Sequence, residues 1–484
     1  MRSDIIAAAA TRNITPKPAQ IKVAAALLSR RDTLLIANTG FGKTLAPQLA
    51  TVLRHRRGLG LTVYIGPLIA LAADMERRCI DFGIRVAKWN STVSEATKLE
   101  IIQQVRNNQI DLLILTAESL GAQSTFGEML RTALSGRVGL CWLDEADTAV
   151  NDKYFRVSWA KIGAIVAAIN PAVILACTAT CPPDQEKELI GRCALRNPYI
   201  ERLSSDRSNF KYAHSSRSEH ALAGILQNHR GEKILVYAAT VAQAQKLAEL
   251  FKGCGYKTAC YCGPMKDAEK RAVQQGFLTG ENKIVIATCA FGRGVDVRDI
   301  RALIVYDPPK NISEFAQQIG RAGRDGLPST IYVCSLGAEE GWQSQRFLVE
   351  SQFPSLPDIM RVWQHLKIFP QSGAEAKASV AKAAGVATWK YTASAIYRLL
   401  QKHGLLAGTH TAYGEVWTPQ GNFNETDWSE YLAQKPKAIH ELDAIRALWQ
   451  LPAEKLRAAL VEYLDASQSA GTATRNAKRP TMFD

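Results

Sequence analysis

Three groups of residues carry types and spacings that could do chemistry. The first is Ala37-Asn38-Thr39-Gly40-Phe41-Gly42-Lys43-Thr44, a glycine-rich turn after an apolar run and before helix-like text. That context suits a phosphate-binding loop, in which main-chain N–H groups and a helix N-terminus cradle phosphates. Lys43 would reach the β- and γ-phosphates and the Thr44 hydroxyl would hold Mg²⁺, with Thr39, Gly40, Phe41 and Gly42 forming the loop around them. The second group, Asp144-Glu145-Ala146-Asp147, follows the apolar run GLCWL. Carboxylates at the C-terminal edge of a parallel sheet face a ligand crevice. Asp144 suits the metal, directly or through water, and Glu145 suits polarisation of an attacking water. The third is Gln318-Ile319-Gly320-Arg321-Ala322-Gly323-Arg324-Asp325-Gly326. Arg321 and Arg324 stand three apart and point the same way on a helical turn. Facing a γ-phosphate across a cleft, such guanidiniums are worth ~10³–10⁵ in rate; Gln318 joins them in the expected catalytic set. A chance turn, an acidic helix start or a solvated basic turn would account for any one group. Their combination points to nucleotide hydrolysis.

The elements that must position them alternate. Apolar runs at Thr33–Ala37, Thr62–Ile65, Asp111–Leu115, Gly139–Leu143 and Ala172–Ala176 are separated by helix-like text. The pattern restarts at Lys233–Ala238, Lys257–Cys262, Lys283–Thr288, Ala302–Tyr306 and Thr330–Cys334. Alternation of this kind implies βαβ units and parallel sheets covered on both faces. Two tandem α/β domains are expected, residues 1–203 and 204–345, with the polar stretch Ser204–Ser218 as their joint. The text then changes. Helices are expected over Pro357–Ile368, Ala374–Ala384 and Ala387–His403, with Gly385 at the turn between the last two, and a hairpin over Leu405–Thr418. Three helices and a hairpin predict a winged helix within 346–425. A helical extension and a basic disordered tail fill 426–484.

The chain has 484 residues, 47% hydrophobic and 21% charged, an ordinary globular balance. No apolar run is long enough for a membrane span, and the start makes a poor secretory signal, so a cytoplasmic location is expected (nucleoid-associated if bacterial). The net charge of +14, from 59 basic and 45 acidic residues, lies mostly in the first two thirds and suits a polyanionic partner. The ten cysteines form no CxxC pair and none follows Cys334; most read as reduced core residues.

Further motifs stand in a fixed order: Pro18-Ala19-Gln20, Gly66-Pro67-Leu68-Ile69-Ala70-Leu71, Thr116-Ala117-Glu118, Thr178-Ala179-Thr180, Ser205-Asp206-Arg207-Ser208-Asn209-Phe210 and Ala290-Phe291-Gly292-Arg293-Gly294-Val295-Asp296. With the three groups above, they make the chain resemble a superfamily 2 helicase, most of all the RecQ family, over about residues 12–340. The resemblance implies a tandem RecA-like motor using ATP and Mg²⁺. It implies that Gln20 reads adenine, that Asp296 belongs to the nucleotide site, and that Pro67, Leu68, Thr116, Glu118, Thr178 and Thr180 belong to the strand-binding motifs. It implies translocation from 3′ to 5′ on single-stranded DNA, and engagement of tailed or forked duplexes. In the C-terminal unit, Lys390 and Arg398 on the expected recognition helix are candidate duplex contacts, and Tyr413 at the wing tip is a candidate wedge.

Three departures bear on function. The family's four-cysteine zinc module has no counterpart, so no zinc is expected. The second motif reads DEAD where the family usually has DEAH. The aromatic loop after it keeps Phe155-Arg156 but not the usual Trp-Gly-His portion, leaving Tyr154 and Trp159 as alternatives for coupling or as core. An RNA helicase, or an ATP-gated DNA clamp or sensor within a multi-protein assembly, therefore stands beside the DNA-helicase expectation, with protein partners in repair, recombination or defence.

Overall fold

The computed structural model describes residues 1–67, 69–90, 93–121, 124–151, 157–292, 297–336, 339–370, 374–411 and 414–465. The first sheet has seven strands: β1 (Thr33–Ile36), β2 (Leu61–Gly66), β3 (Val86–Trp89), β4 (Leu112–Thr116), β5 (Val138–Leu143), β6 (Ile174–Thr178) and β7 (Tyr199–Arg202). Their order is β3-β4-β2-β5-β6-β1-β7, and every pairing is parallel. Side chains alternate between two cores. Leu34 and Ile36 of β1 enter one cluster, while Leu35 and Ala37 enter the other. Both faces are thus covered, which is why the strands read as unbroken apolar runs. The edge strands β3 and β7 are partly exposed and interrupted by polar residues, and their text carries no such run.

The second sheet is also parallel, in the order β10-β11-β9-β12-β13-β8. Its strands are β8 (Phe210–Ser215), β9 (Lys233–Tyr237), β10 (Thr258–Tyr261), β11 (Ile284–Ala287), β12 (Ile300–Val305) and β13 (Ser329–Cys334). The expected joint Ser204–Ser218 is shorter than its polarity implies. β8 lies inside it and pairs with β13 from Phe210 to Ser215.

The C-terminal unit contains the helices Leu356–Ile368, Lys377–Ala383 and Trp389–Lys402, then the antiparallel hairpin β14 (Leu406–Thr411) and β15 (Gly414–Pro419). Gly385 turns between the second and third helices at φ +76°, a conformation that suits glycine. Ile396, Leu399 and Leu400 face the unit's own core, together with Trp363, Tyr397 and Trp417. Two further helices, Gln434–Gln450 and Ala453–Asp465, return to the second sheet. Leu442, Ile445, Trp449, Leu456, Leu460 and Leu464 join its core cluster. The Trp449 indole donates to the Cys334 carbonyl (3.1 Å) and meets the Phe315 ring edge-on at 5.1 Å.

None of the ten cysteines is in a disulfide; Cys254 and Cys289 are exposed, and most of the others are buried. Burial pushes the Cys193 and Cys334 thiols up to about 12. Trp159 is fully buried in the first core. Among the described residues, no helix is long and apolar enough to cross a membrane.

Candidate nucleotide cleft and nucleic-acid interface

The phosphate loop leaves β1 at its C-terminal end, where the Ala37 N–H still donates to the Thr178 carbonyl (3.0 Å). Gly40 and Gly42 both adopt φ +87°, and a Cβ at Gly42 would come within 2.9 Å of Gln20 Nε2. The loop curls around its own lysine. Lys43 Nζ donates to the Ala37 carbonyl (2.8 Å) and reaches that of Asn38 (3.5 Å). Thr44 is the N-cap of the helix Leu45–Arg56, and its hydroxyl makes no capping bond. Gln20 is buried and braces this loop. Its Oε1 accepts from Lys17 N–H (2.7 Å), and its Nε2 donates to the carbonyls of Gly42 (3.0 Å) and Phe41 (3.3 Å). In this arrangement both ends of the Gln20 amide are engaged by the protein rather than open to a base.

Asp144 and Glu145 leave β5 beside the loop. Asp144 accepts from the Tyr64 hydroxyl (2.9 Å) and from Glu145 N–H (3.1 Å). Burial and the neighbouring Glu145 raise its carboxyl to about 6, against the opposing pull of Lys43. Burial and Asp144 keep the Tyr64 phenol protonated. Glu145 sits at φ +50°, a conformation that costs a non-glycine residue ~1–3 kcal/mol and persists where the surroundings impose it. Half-buried carboxylates beside one ammonium, with the Thr44 hydroxyl in the adjoining loop, form a donor set that fits a divalent cation with phosphates.

The second sheet supplies the facing wall through the helix Ile312–Ile319 and the turn after it. Here the structure departs from expectation. Gln317, not Gln318, crosses between the domains, its Nε2 donating to Asp147 Oδ2 (2.9 Å). Asp147 is buried and its Oδ1 accepts from the Thr178 hydroxyl (2.9 Å), which in turn accepts from Thr180 N–H (3.2 Å). Gln318 is buried, and its Oε1 has no hydrogen-bond partner among the described residues. At ~100° per residue, Gln317 lies nearly opposite the apolar stripe Ile312-Phe315-Ile319, a signal that could have separated the two glutamines.

The turn presses directly on the phosphate loop. A Cβ at Gly320 would stand 2.5 Å from Thr39 Oγ1 and 3.0 Å from the Ala316 carbonyl, so any larger residue would have to push the loop's hydroxyl aside, and the Arg324 side chain lies against Gly40. Arg321 is buried, and its Nε has no hydrogen-bond partner among the described residues. Arg207, in the joint, donates from Nη1 to the Thr39 carbonyl (3.0 Å) and from Nη2 to those of Ala322 (3.1 Å) and Gly323 (3.0 Å). The joint motif contains this arginine, but nothing in its polar text points to a role.

The expected strand contacts divide. Glu118 is exposed, whereas Pro67 and Thr116 are buried, Thr116 capping the short helix Ala117–Gly121 through Ser119 N–H (3.3 Å). Thr178 and Thr180 are buried in the Asp147 network and offer no outward surface here. Lys390 is exposed beside the Trp389 ring (5.5 Å), whereas Arg398 is half-buried, so the helix does not present both as expected. Leu68, Tyr154, Phe155, Arg156, Asp296 and Tyr413 lie outside the described residues.

Comparison with known proteins agrees with this geometry. Residues 17–189 match the family described as DEAD/DEAH box helicase, and residues 217–326 match the helicase conserved C-terminal domain. The ATP-dependent DNA helicase RecQ of a Synechocystis strain is 30% identical over 326 residues, covering 65% of this chain and 67% of that protein. A putative ATP-dependent DNA helicase Q1 of Caenorhabditis elegans is 28% identical over 331 residues, covering 66% of this chain and 51% of that one. The chain spans about half the length of several such curated relatives. Among solved structures, the DUF1998 helicase MrfA bound to DNA and AMPPNP shares the fold with a TM-score of 0.56 and 17% identity, covering 87% of this chain and 62% of that one. Two parallel sheets meeting at a phosphate loop, with both helicase families matched in order, place the chain among the superfamily 2 helicases, with RecQ DNA helicases as distant relatives.

Proposed function

We propose that the chain is an ATP-dependent DNA helicase of RecQ type that translocates on single-stranded DNA and unwinds tailed or forked duplexes. One observation carries the reading: the phosphate loop of the first sheet and the arginine turn of the second are in direct contact, with Gln317 bonded to Asp147 across the cleft. Hydrolysis between the domains would have to move these groups relative to each other. Thr44 and Asp144 would hold Mg²⁺, which supplies charge neutralisation for the phosphates. Lys43, released from the loop carbonyls, neutralises the β- and γ-phosphates. Glu145 orients water and takes its proton. Arg321 and Arg324 place positive charge where the transition state spreads negative charge. The Gln317–Asp147–Thr178 chain links the water-activating motif to the far domain. A strand across both domains would be held chiefly through its phosphates, tolerant of sequence and weakened by salt. The 3′ to 5′ direction rests on the family resemblance alone.

The test is the steady-state ATPase rate with no polymer, single-stranded DNA, duplex DNA and single-stranded RNA, for the wild type and Glu145→Gln. Stimulation by single-stranded DNA, lost by ~10²–10⁴-fold in the variant, supports the reading. RNA-selective stimulation would favour the RNA helicase. Stimulation without unwinding of a 3′-tailed duplex would favour the clamp or sensor.

A further inference from the structure

The joint between the sheets is held from both sides. On the inside, Arg207 spans main-chain carbonyls of both domains, and its guanidinium packs over the Phe210 ring at 4.6 Å. Asn209 adds donors to the carbonyls of Gly323 and Leu327, each at 2.9 Å. On the outside lies the helix Ala453–Asp465. Its Arg457 grips both oxygens of Asp206 (2.7 and 2.6 Å). Its Asp465 accepts from Ser205 N–H (2.8 Å) and the Ser204 hydroxyl (2.9 Å). Arg202, at the end of the first sheet, donates to the Leu464 carbonyl (3.3 Å). The three residues preceding Arg207 are therefore tied to one helix. A cavity behind them is lined by Thr39, Thr180, Arg207 and Gly320, and by Leu460 and Leu464 of that helix.

We propose that Arg207 is a positioning residue for ATP hydrolysis and that the helix Ala453–Asp465 is the strap that sets it. This rests on the ATPase reading above. Arg207 touches the phosphate loop and the arginine turn through their main-chain carbonyls. It fixes their separation, and a guanidinium can do so because its donors diverge in a plane toward several carbonyls at once. The strap fixes the backbone from which Arg207 projects. The Arg457–Asp206 pair is partly exposed on both sides, so its contribution to stability is small. Its effect is placement: misplacing a group that orients reactants by about 1 Å costs ~10²-fold.

The experiment measures single-strand-stimulated ATPase as kcat and KM separately, on the full chain, with thermal unfolding of each variant as a folding check. Arg207→Ala should lower kcat ~10–100-fold with KM for ATP within about 3-fold. Arg207→Lys keeps the charge without the fork and should recover only a small part. Arg457→Ala with Asp465→Ala should lower kcat several-fold in the same way, with an unfolding midpoint close to wild type. Exchanging the charges, Asp206→Arg with Arg457→Asp, should restore most of the loss seen in Arg457→Ala alone. Wild-type kcat in Arg207→Ala or in the double variant overturns the inference while leaving the ATPase reading intact. So does a loss confined to KM. A wild-type chain that hydrolyses no ATP with any polymer overturns both.

Discussion

The cleft and the C-terminal unit hold several of their cations differently. In the cleft, Lys43 and Arg207 donate to main-chain carbonyls, and Arg321 is buried. In the C-terminal unit, lysines lie over aromatic faces: Lys367 over Trp363 (4.1 Å), Lys377 over Trp417 (4.4 Å), and Lys382 and Lys390 beside Trp389 (5.6 and 5.5 Å). A guanidinium or ammonium bonded to fixed carbonyls has one geometry. An ammonium over a ring is held by a shallow attraction and keeps its hydration. The first arrangement suits chemistry that depends on tenths of an ångström. The second suits a surface that meets a polyanion in many registers.

The largest expected effect tests the cleft side of that contrast. Lys43→Ala removes the ammonium that the loop encloses, and ATP hydrolysis should fall by at least ~10²-fold, comparable to removing one preorganised charge-stabilising donor. Duplex binding by the C-terminal unit should be unchanged in the same variant, measured by fluorescence anisotropy without nucleotide. A parallel loss of duplex binding would break the contrast, because it would place the duplex contacts on the motor.

A smaller effect separates two neighbours. Gln317→Ala removes the bond that crosses the cleft and leaves buried Asp147 with one partner fewer. Stimulation of ATPase by single-stranded DNA should drop ~2–30-fold, the range for residues that carry coupling between sites. Gln318→Ala removes a side chain whose Oε1 is already unpartnered, so stimulation should stay near wild type. If Gln318→Ala is the damaging change, the sequence expectation is right in function and the cross-domain bond is incidental.

That pair also marks how far the sequence could be read. Groups whose chemistry demands a fixed order of residue types, such as the loop at 37–44 and the carboxylates at 144–145, are legible because few other arrangements use them. Buried strands are legible because both faces are covered. β8 escapes because it is an edge strand whose exposed positions carry Lys211 and His214, so its text resembles a linker. Arg207 and the strap escape for a different reason. Their partners are main-chain carbonyls and residues some 250 positions away, and neither leaves a pattern in local text. Gln317 and Gln318 are chemically identical, and only the direction of the helix face decides between them.

The smallest effect tests the C-terminal side. Lys390 is exposed near the start of the helix Trp389–Lys402, whereas Arg398, two turns on, is half-buried, and burial lowers its pKa. If the helix meets duplex through phosphates, each lysine that makes a contact releases about one counterion, and its loss flattens the dependence of log affinity on log salt by ~0.9. Lys390→Ala should therefore weaken duplex binding only a few-fold at low salt, reduce the salt slope by about one, and leave single-strand-stimulated ATPase unchanged. Arg398→Ala should leave the slope alone and act instead on thermal stability, because the side chain is half-buried. Equal slopes for the two variants would mean that the helix does not present Lys390 to phosphate. The lysines over Trp363 and Trp417 would then be the next surface to probe, by the same measurement.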